Sequence, residues 1–166
     1  FFVPVVTMGL IAREKSLGTS EVLATLPIKD IELVVGKYLS AITLILAGLA
    51  FTIVHFFTLL MVGTTVDYGA VFCGYLGLAL VGSFYAAIGI FSSSLTDNQV
   101  VAFIIGVAFV LVFFLMDKLL IFIPVSLAGI VQFLSVDYHL SNISRGVIDS
   151  RNLIYFGSLM WLFLTM

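Results

Sequence analysis

The chain has 166 residues, of which 62% are hydrophobic and 10% are charged, and its formal net charge is −2. Soluble globular domains carry about 25% charged residues, so this composition excludes a soluble enzyme and a soluble binding module. The one cysteine, Cys73, excludes an intrachain disulfide.

Two stretches of 29 residues, 38–66 and 68–96, contain no Asp, Glu, Lys or Arg. A helix rises about 1.5 Å per residue, so about 20 apolar residues cross the hydrocarbon core of a bilayer. Each stretch is therefore long enough to span a membrane. The sequence predicts an all-α, polytopic integral membrane protein.

Charged and turn residues divide the chain into segments. Pro124 and Gly129 interrupt the apolar run after the third span, which favours a re-entrant or interfacial hairpin, and an amphipathic stretch follows it. The predicted segments are, in order, the end of a span (1–12), a polar segment (13–37), three full spans (38–62, 70–95 and 99–116), a re-entrant segment (117–150) and the start of a last span (151–166).

The orientation is predicted from the Lys and Arg residues of the short loops. Residues 13–37 hold four of them, residues 117–151 hold three, and the two other loops hold none. This bias places 13–37 on the cytoplasmic side. Alternation of the spans then places the loop 96–98 inside and the segment 117–150 outside.

Small residues form stripes on two spans. Because lipid provides no hydrophobic drive for helix association, such stripes indicate faces where backbones approach closely. The faces either slide during a transport cycle or pack statically, and the pattern does not separate these alternatives. The stripe of the second span is Ala79, Gly82, Ala86, Gly89 and Ser93, and that of the first is Ser40, Thr43, Ala47 and Ala50.

The polar segment contains signals for one short helix. Gly18 permits a sharp turn, Thr19 or Ser20 can cap a helix N-terminus, and Glu21 then complements the helix dipole. Pro27 disfavours helix at the residue before it. These signals predict a helix of about two turns over 19–26.

The apolar side chains of this short helix, Val22, Leu23 and Leu26, fall on one side. An amphipathic helix of this kind can dock in a groove of a cytoplasmic partner. Alternatively, it rests on lipid headgroups. The residues alone leave both alternatives open.

The pattern E-K-x-x-G-T-x-E-x-L-x-x-x-P over residues 14–27, followed by Gly36-Lys37, resembles the ABC-2-type transporter permeases. The most similar subgroup includes the gliding-motility-associated and copper/nitrous-oxide-associated permeases. Residues 67–69, 74–78 and 87–99 look like the fourth helix of that subgroup and the loop after it. Residues 145–156 look like its final extracellular helix entering the last span.

The resemblance implies a truncated ABC-2-type (type V exporter-like) transmembrane domain in a bacterial cytoplasmic (inner) membrane. The family has six spans, and the first and most of the second are not in this chain. Family members pair with a second permease copy or paralogue and sit on cytoplasmic P-loop ATPase subunits that bind the ATP. The residues that the resemblance assigns to ATPase coupling are Gly18, Thr19, Glu21, Val22, Leu23, Leu26 and Pro27.

The sequence contains no G-x-x-x-x-G-K-[ST] phosphate loop, so we expect ATP hydrolysis and any cofactor on a separate subunit. No catalytic or metal-ligating cluster is apparent, and no nucleic-acid partner is expected. His55 lies within a span, where it is either part of a functional site or a neutral histidine hydrogen-bonded to a neighbouring helix, the interpretation that we favour. An ion-coupled carrier or a membrane scaffold is the alternative function, although a carrier should have ionisable residues near the midplane, which 38–66 and 68–96 lack.

Overall fold

The computed structural model describes residues 2–19, 29–63, 67–122, 124–146 and 149–166. Every regular element within these ranges is helical, which confirms the predicted fold class. The helices are α1 (Phe2–Thr7), α2 (Ala12–Ser16), α3 (Asp30–Met61), α4 (Tyr68–Ser94), α5 (Gln99–Leu119), α6 (Val125–Leu134), α7 (Val136–Ser144) and α8 (Ser150–Thr165), with a 3-10 turn at Leu120–Phe122.

Three of these helices, α3, α4 and α5, are long and apolar enough to cross a membrane. They contain 32, 27 and 21 residues, and their most apolar windows have mean hydropathies of 2.3, 1.8 and 2.8. Asp67 caps α4 by accepting hydrogen bonds from the N–H groups of Gly69 and Ala70, and Asn98 caps α5 in the same way through Val100. The turn residues between the apolar runs therefore set where these helices begin.

Helix α3 begins at Asp30, eight residues before the predicted start of the first full span. Residues 30–37 of the predicted polar segment therefore form the first two turns of α3. Charged residues do not break a helix, and Asp30 and Glu32 in the first turn complement its dipole. The N–H of Lys29 also donates to Glu32 Oε2 at 3.3 Å.

The sequence predicts that residues 1–12 are the end of one span. In the structure, residues 2–12 do not form one continuous helix. Helix α1 ends at Thr7, residues 8–11 form turns, and α2 starts at Ala12. The backbone bends here because its N–H groups at Ile11 and Ala12 bond to a serine side chain of α4 instead of continuing a helical ladder.

Helix α4 is the centre of the molecule. In its most apolar window 44% of the residues are buried, against 6% in α3 and 11% in α5. Helices α1, α3, α5, α7 and α8 all pack against it. Glycines make these approaches possible, since a Cβ at Gly82 would lie 2.8 Å from Ile45 of α3 and one at Gly77 would lie 2.9 Å from Leu140 of α7.

The small residues of α3 do not form the contact with α4. Ser40, Thr43, Ala47 and Ala50 are exposed in this chain. The buried residues of α3 are Ala41 and Ile45 instead, and they pack with Ala86 of α4. The face of α3 that contacts α4 is therefore not the face on which the predicted small residues lie. The hydroxyls of Ser40 and Thr43 donate to carbonyls of their own helix and need no partner on another helix.

Phenylalanine rings fill the space between α4, α5 and α8. Phe84 meets Phe113 of α5 edge-to-face at 5.1 Å, and Phe91 meets Phe163 of α8 at 5.5 Å. Phe84 and Phe156 are fully buried. Aromatic pairs in this geometry add to the stabilisation from burial alone, by about 0.5–1.5 kcal/mol each.

The segment after α5 stays near the Gly77 end of α4, where Leu140 and Ile143 of α7 cover the glycine. Helix α7 lies within the amphipathic stretch that the sequence predicts after Pro124 and Gly129. Helix α8 then begins at Ser150, capped by Asp149, which accepts a hydrogen bond from the N–H of Arg151 at 3.0 Å.

We predict that Gly89→Ala destabilises the protein whereas Gly157→Ala does not. A Cβ at Gly89 would lie 1.8 Å from Thr7 Oγ1 and 2.6 Å from Thr7 Cβ, so α1 must move. Overpacking of this kind costs about 1–3 kcal/mol. A Cβ at Gly157 meets nothing within 4 Å, and alanine is favoured over glycine in a helix by about 1 kcal/mol. Thermal unfolding of the two purified variants in detergent measures the difference, and equal melting temperatures would contradict the packing described here.

Candidate functional site

The side chain of Ser93, near the C-terminal end of α4, binds the N-terminal segment at three points. Its hydroxyl oxygen accepts hydrogen bonds from the N–H groups of Ile11 at 3.1 Å and Ala12 at 2.9 Å, and its hydrogen is donated to the Met8 carbonyl at 2.9 Å. Ser93 is fully buried. One side chain thus satisfies the backbone groups that the bend between α1 and α2 leaves unpaired.

Two lysines extend this attachment. Lys15 Nζ donates to the Ser94 carbonyl at 2.5 Å, which neutralises part of the negative end of the α4 dipole. Lys37 of α3 forms an ion pair with Glu14 of α2 and also donates to the Leu10 carbonyl at 2.5 Å. The Lys37 and Glu14 side chains are only 13% and 33% exposed, so water screens this pair less than it screens a surface salt bridge.

These contacts hold the two ends of the polar segment together. We call the paired ends, around Glu14 and Lys37, the base of the segment. Glu14 lies four residues before Gly18, where the backbone turns at φ +71°. Lys37 lies about two turns inside α3. Thr19 Oγ1 donates to the Glu14 carbonyl at 3.2 Å. Of the predicted coupling residues, only Gly18 and Thr19 are therefore placed, and Glu21, Val22, Leu23, Leu26 and Pro27 lie outside the described residues.

The predicted packing residues lie on the side of α4 that faces the other helices. Gly82, Ala86, Gly89 and Ser93 are buried and Ala79 is partly buried. Gly82 faces Ile45 of α3, and Gly89 faces Thr7 of α1. Movement of these faces during transport remains a prediction.

A second group of buried polar side chains, absent from the sequence predictions, joins α6, α7 and α8. The His139 ring lies with Nε2 2.8 Å from the Phe133 carbonyl and Nδ1 2.7 Å from the side-chain amide of Asn152. It stacks on Tyr155 at 3.9 Å, and Tyr155 donates to the Leu134 carbonyl at 2.6 Å. The sequence offers no local signal for this group, because its members come from three helices.

His55, which the sequence places within a span, lies on an exposed part of α3. Across the residues that the structure describes, no three His, Cys, Asp or Glu side chains lie close enough to hold a metal ion. The hydrogen bonds of residues 8–15 to α4 join a segment with three charged side chains to the most buried of the three long helices.

One family of membrane transport proteins matches the sequence of this chain. The model of the ABC-2 family transporter proteins matches residues 1–154. The chain belongs to the ABC-2 transporter family. This ABC-2 protein is therefore a multi-pass membrane protein of a transport family, with α3, α4 and α5 as its candidate spans. No curated protein and no solved structure matches it.

We predict that Ser93→Ala loosens the N-terminal segment while the neighbouring Ser94→Ala does not. Ser93→Ala leaves the N–H groups of Ile11 and Ala12 without an acceptor, and an unsatisfied buried donor costs about 1–3 kcal/mol. Ser94 donates only to the Phe91 carbonyl of its own helix. Hydrogen exchange at residues 8–16, measured by mass spectrometry, should increase only in Ser93→Ala. Unchanged protection in that variant would show that the attachment is held by other contacts.

Proposed function

We propose that this ABC-2 protein is the permease subunit of an ABC transporter and that it couples ATP hydrolysis on a separate ATPase subunit to export of a substrate. Membership of the ABC-2 family supports the transport role. The observation that carries the coupling role is the closed base of the polar segment. Glu14 and Lys37 are 23 positions apart, and their ion pair brings the start and end of the segment together.

A closed base has a mechanical consequence. Force applied to the residues between Thr19 and Lys29 cannot be absorbed by separation of the two ends while the ion pair holds. The force passes instead to α3 through Lys37 and to α4 through Ser93 and Lys15. A motor that pushes on this segment would therefore move two membrane helices together.

The residues assigned to coupling have distinct parts in this proposal. Gly18 and Thr19 turn the chain away from α2, and Pro27 ends the short helix before α3 begins. Val22, Leu23 and Leu26 provide the apolar face that docks on the ATPase, in the manner of an amphipathic helix in a groove. Glu21 stabilises the first turn.

The remaining expectations form part of the same proposal. ATP binds to the cytoplasmic P-loop ATPase, this chain carries no cofactor, and a second permease copy or paralogue completes the transmembrane unit within the lipid bilayer. The membrane is a bacterial cytoplasmic membrane, with residues 13–29 inside and residues 120–149 outside. Lys15 and the Ser94 carbonyl are in contact, which supports a common side for the first segment and the loop after α4. Within the family, the motifs of residues 14–27 favour the gliding-motility and nitrous-oxide-associated subgroup.

We predict that Leu23→Asp detaches the ATPase without unfolding the membrane helices. A carboxylate on the docking face must be desolvated, and loss of a buried leucine costs about 2–5 kcal/mol when the residue is packed as in a core. Pull-down of a P-loop ATPase with the tagged wild type and variant, in mild detergent, gives the measurement. Wild type should retain the ATPase and the variant should lose it.

Leu17→Asp is the matched control, because Leu17 is 65% exposed and precedes the turn at Gly18. It should retain the ATPase, and both variants should elute as wild type on size exclusion. The coupling role fails if wild type retains no P-loop ATPase under any mild condition, or if Leu23→Asp retains it.

A further inference from the structure

An apolar groove of about 670 Å³ runs between α3, α4 and α7, at the end of α4 opposite Ser93. Leu49 of α3, Leu78 of α4 and Leu140 of α7 form its walls. Gly74 leaves its floor open, since a Cβ built there meets no atom within 4 Å. A cleft with these walls accepts an extended hydrocarbon chain.

A polar pocket of about 340 Å³ adjoins the groove. Asp137 and Ser141 of α7 line both cavities, so the two lie side by side along this helix. The other charged residues that line the polar pocket are Asp117 and Arg145. A ligand that fills both cavities must therefore have an apolar chain and a polar head.

The charges of the polar pocket are balanced. Lys118 Nζ lies 3.1 Å from Asp137 Oδ2 and 3.4 Å from Asp117 Oδ2, so one ammonium bridges the two carboxylates. Arg145 is exposed and is in no ion pair with the other described residues. Two carboxylates and two cations give a net charge of zero. Lys118 contacts Oδ2 of each carboxylate, so a further cation would be accepted by the Oδ1 atoms and an anion by Arg145.

We propose that the groove and the polar pocket together form a binding site for a zwitterionic phospholipid with a primary ammonium head group, of the phosphatidylethanolamine type. One acyl chain lies along Gly74 between α3 and α4. The phosphodiester accepts hydrogen bonds from Arg145, a donor suited to phosphate. The ammonium donates to Asp117 and Asp137.

Charge and hydrogen bonding select this head group over the common alternatives. An anionic lipid with an uncharged glycerol head group binds Arg145 but brings no cation to the Oδ1 atoms of Asp117 and Asp137, and it adds a negative charge to a pocket whose own charges already balance. A trimethylammonium head group has no N–H to donate to them. Because the bilayer surrounds α3 and α4, the lipid reaches the groove laterally, and the site does not depend on ATPase coupling.

Native mass spectrometry of the full chain, released from detergent, tests the proposal. Palmitoyl-oleoyl phosphatidylethanolamine should be retained in preference to the phosphatidylglycerol and phosphatidylcholine with the same chains by about tenfold, the difference expected for one charge-assisted hydrogen bond. Gly74→Leu fills the groove and should lower retention by about tenfold or more. Gly48→Leu, on α3 where a Cβ also meets nothing within 4 Å, should leave it unchanged.

Arg145→Gln tests the head-group contact without altering the groove, and it should lower retention by about tenfold. Arg151→Gln removes the same charge from the start of α8 and should have no effect. Three results would overturn the proposal: equal retention of the three lipids, retention by both Gly74→Leu and Arg145→Gln, or full competition by glycerophosphoethanolamine, which would indicate a site for free phosphodiesters. If Gly74→Leu does not fold, the pair Arg145→Gln and Arg151→Gln still decides.

Discussion

The structure depends on how closely other backbones approach α4 where its side chains are small. Thr7 occupies the space that a Cβ at Gly89 would need, and Ile45 occupies the corresponding space at Gly82. In a membrane, such close contact replaces the hydrophobic drive that lipid does not provide. The same approach brings the backbone of Ile11 and Ala12 within reach of Ser93, so the packing of α1 and the polar attachment of α2 are one arrangement.

Helix α4 also separates two regions of different chemistry. Ser94 contacts Lys15 at one end, and Gly74 opens the apolar groove towards the other. The 20 residues between them correspond to about 30 Å along a helix, which is about the thickness of a bilayer core. A lipid bound at the Gly74 end would contact α3 and α4, which are the same helices that the Glu14–Lys37 ion pair and Ser93 hold at the other end.

The fold class, the three spans and the buried small residues of α4 could be predicted from sequence because each follows from local composition and periodicity. The start of α3 at Asp30 could not be predicted from hydropathy, because hydropathy marks where the apolar residues begin, whereas the charged residues before them are also helical and Asp30 and Glu32 complement the helix dipole. The buried position of His139 could not be predicted either, since its partners Phe133 and Asn152 come from two other helices. In the candidate coupling site, the turn at Gly18 could be predicted from the residue type. The attachment of the segment to Ser93 could not be predicted, because it joins residues that are far apart in the sequence.

If the contacts of Ser93 and Lys15 hold, the base of the polar segment moves with α4 as one unit. This can be measured by electron paramagnetic resonance between spin labels at Leu17 and Asp97, both exposed, in a Cys73→Ser background and with the ATPase bound to ATP or to ADP. We expect one narrow distance distribution that is the same in both nucleotide states. A broad distribution, or a distance that changes with the nucleotide, would show that the segment and α4 move independently.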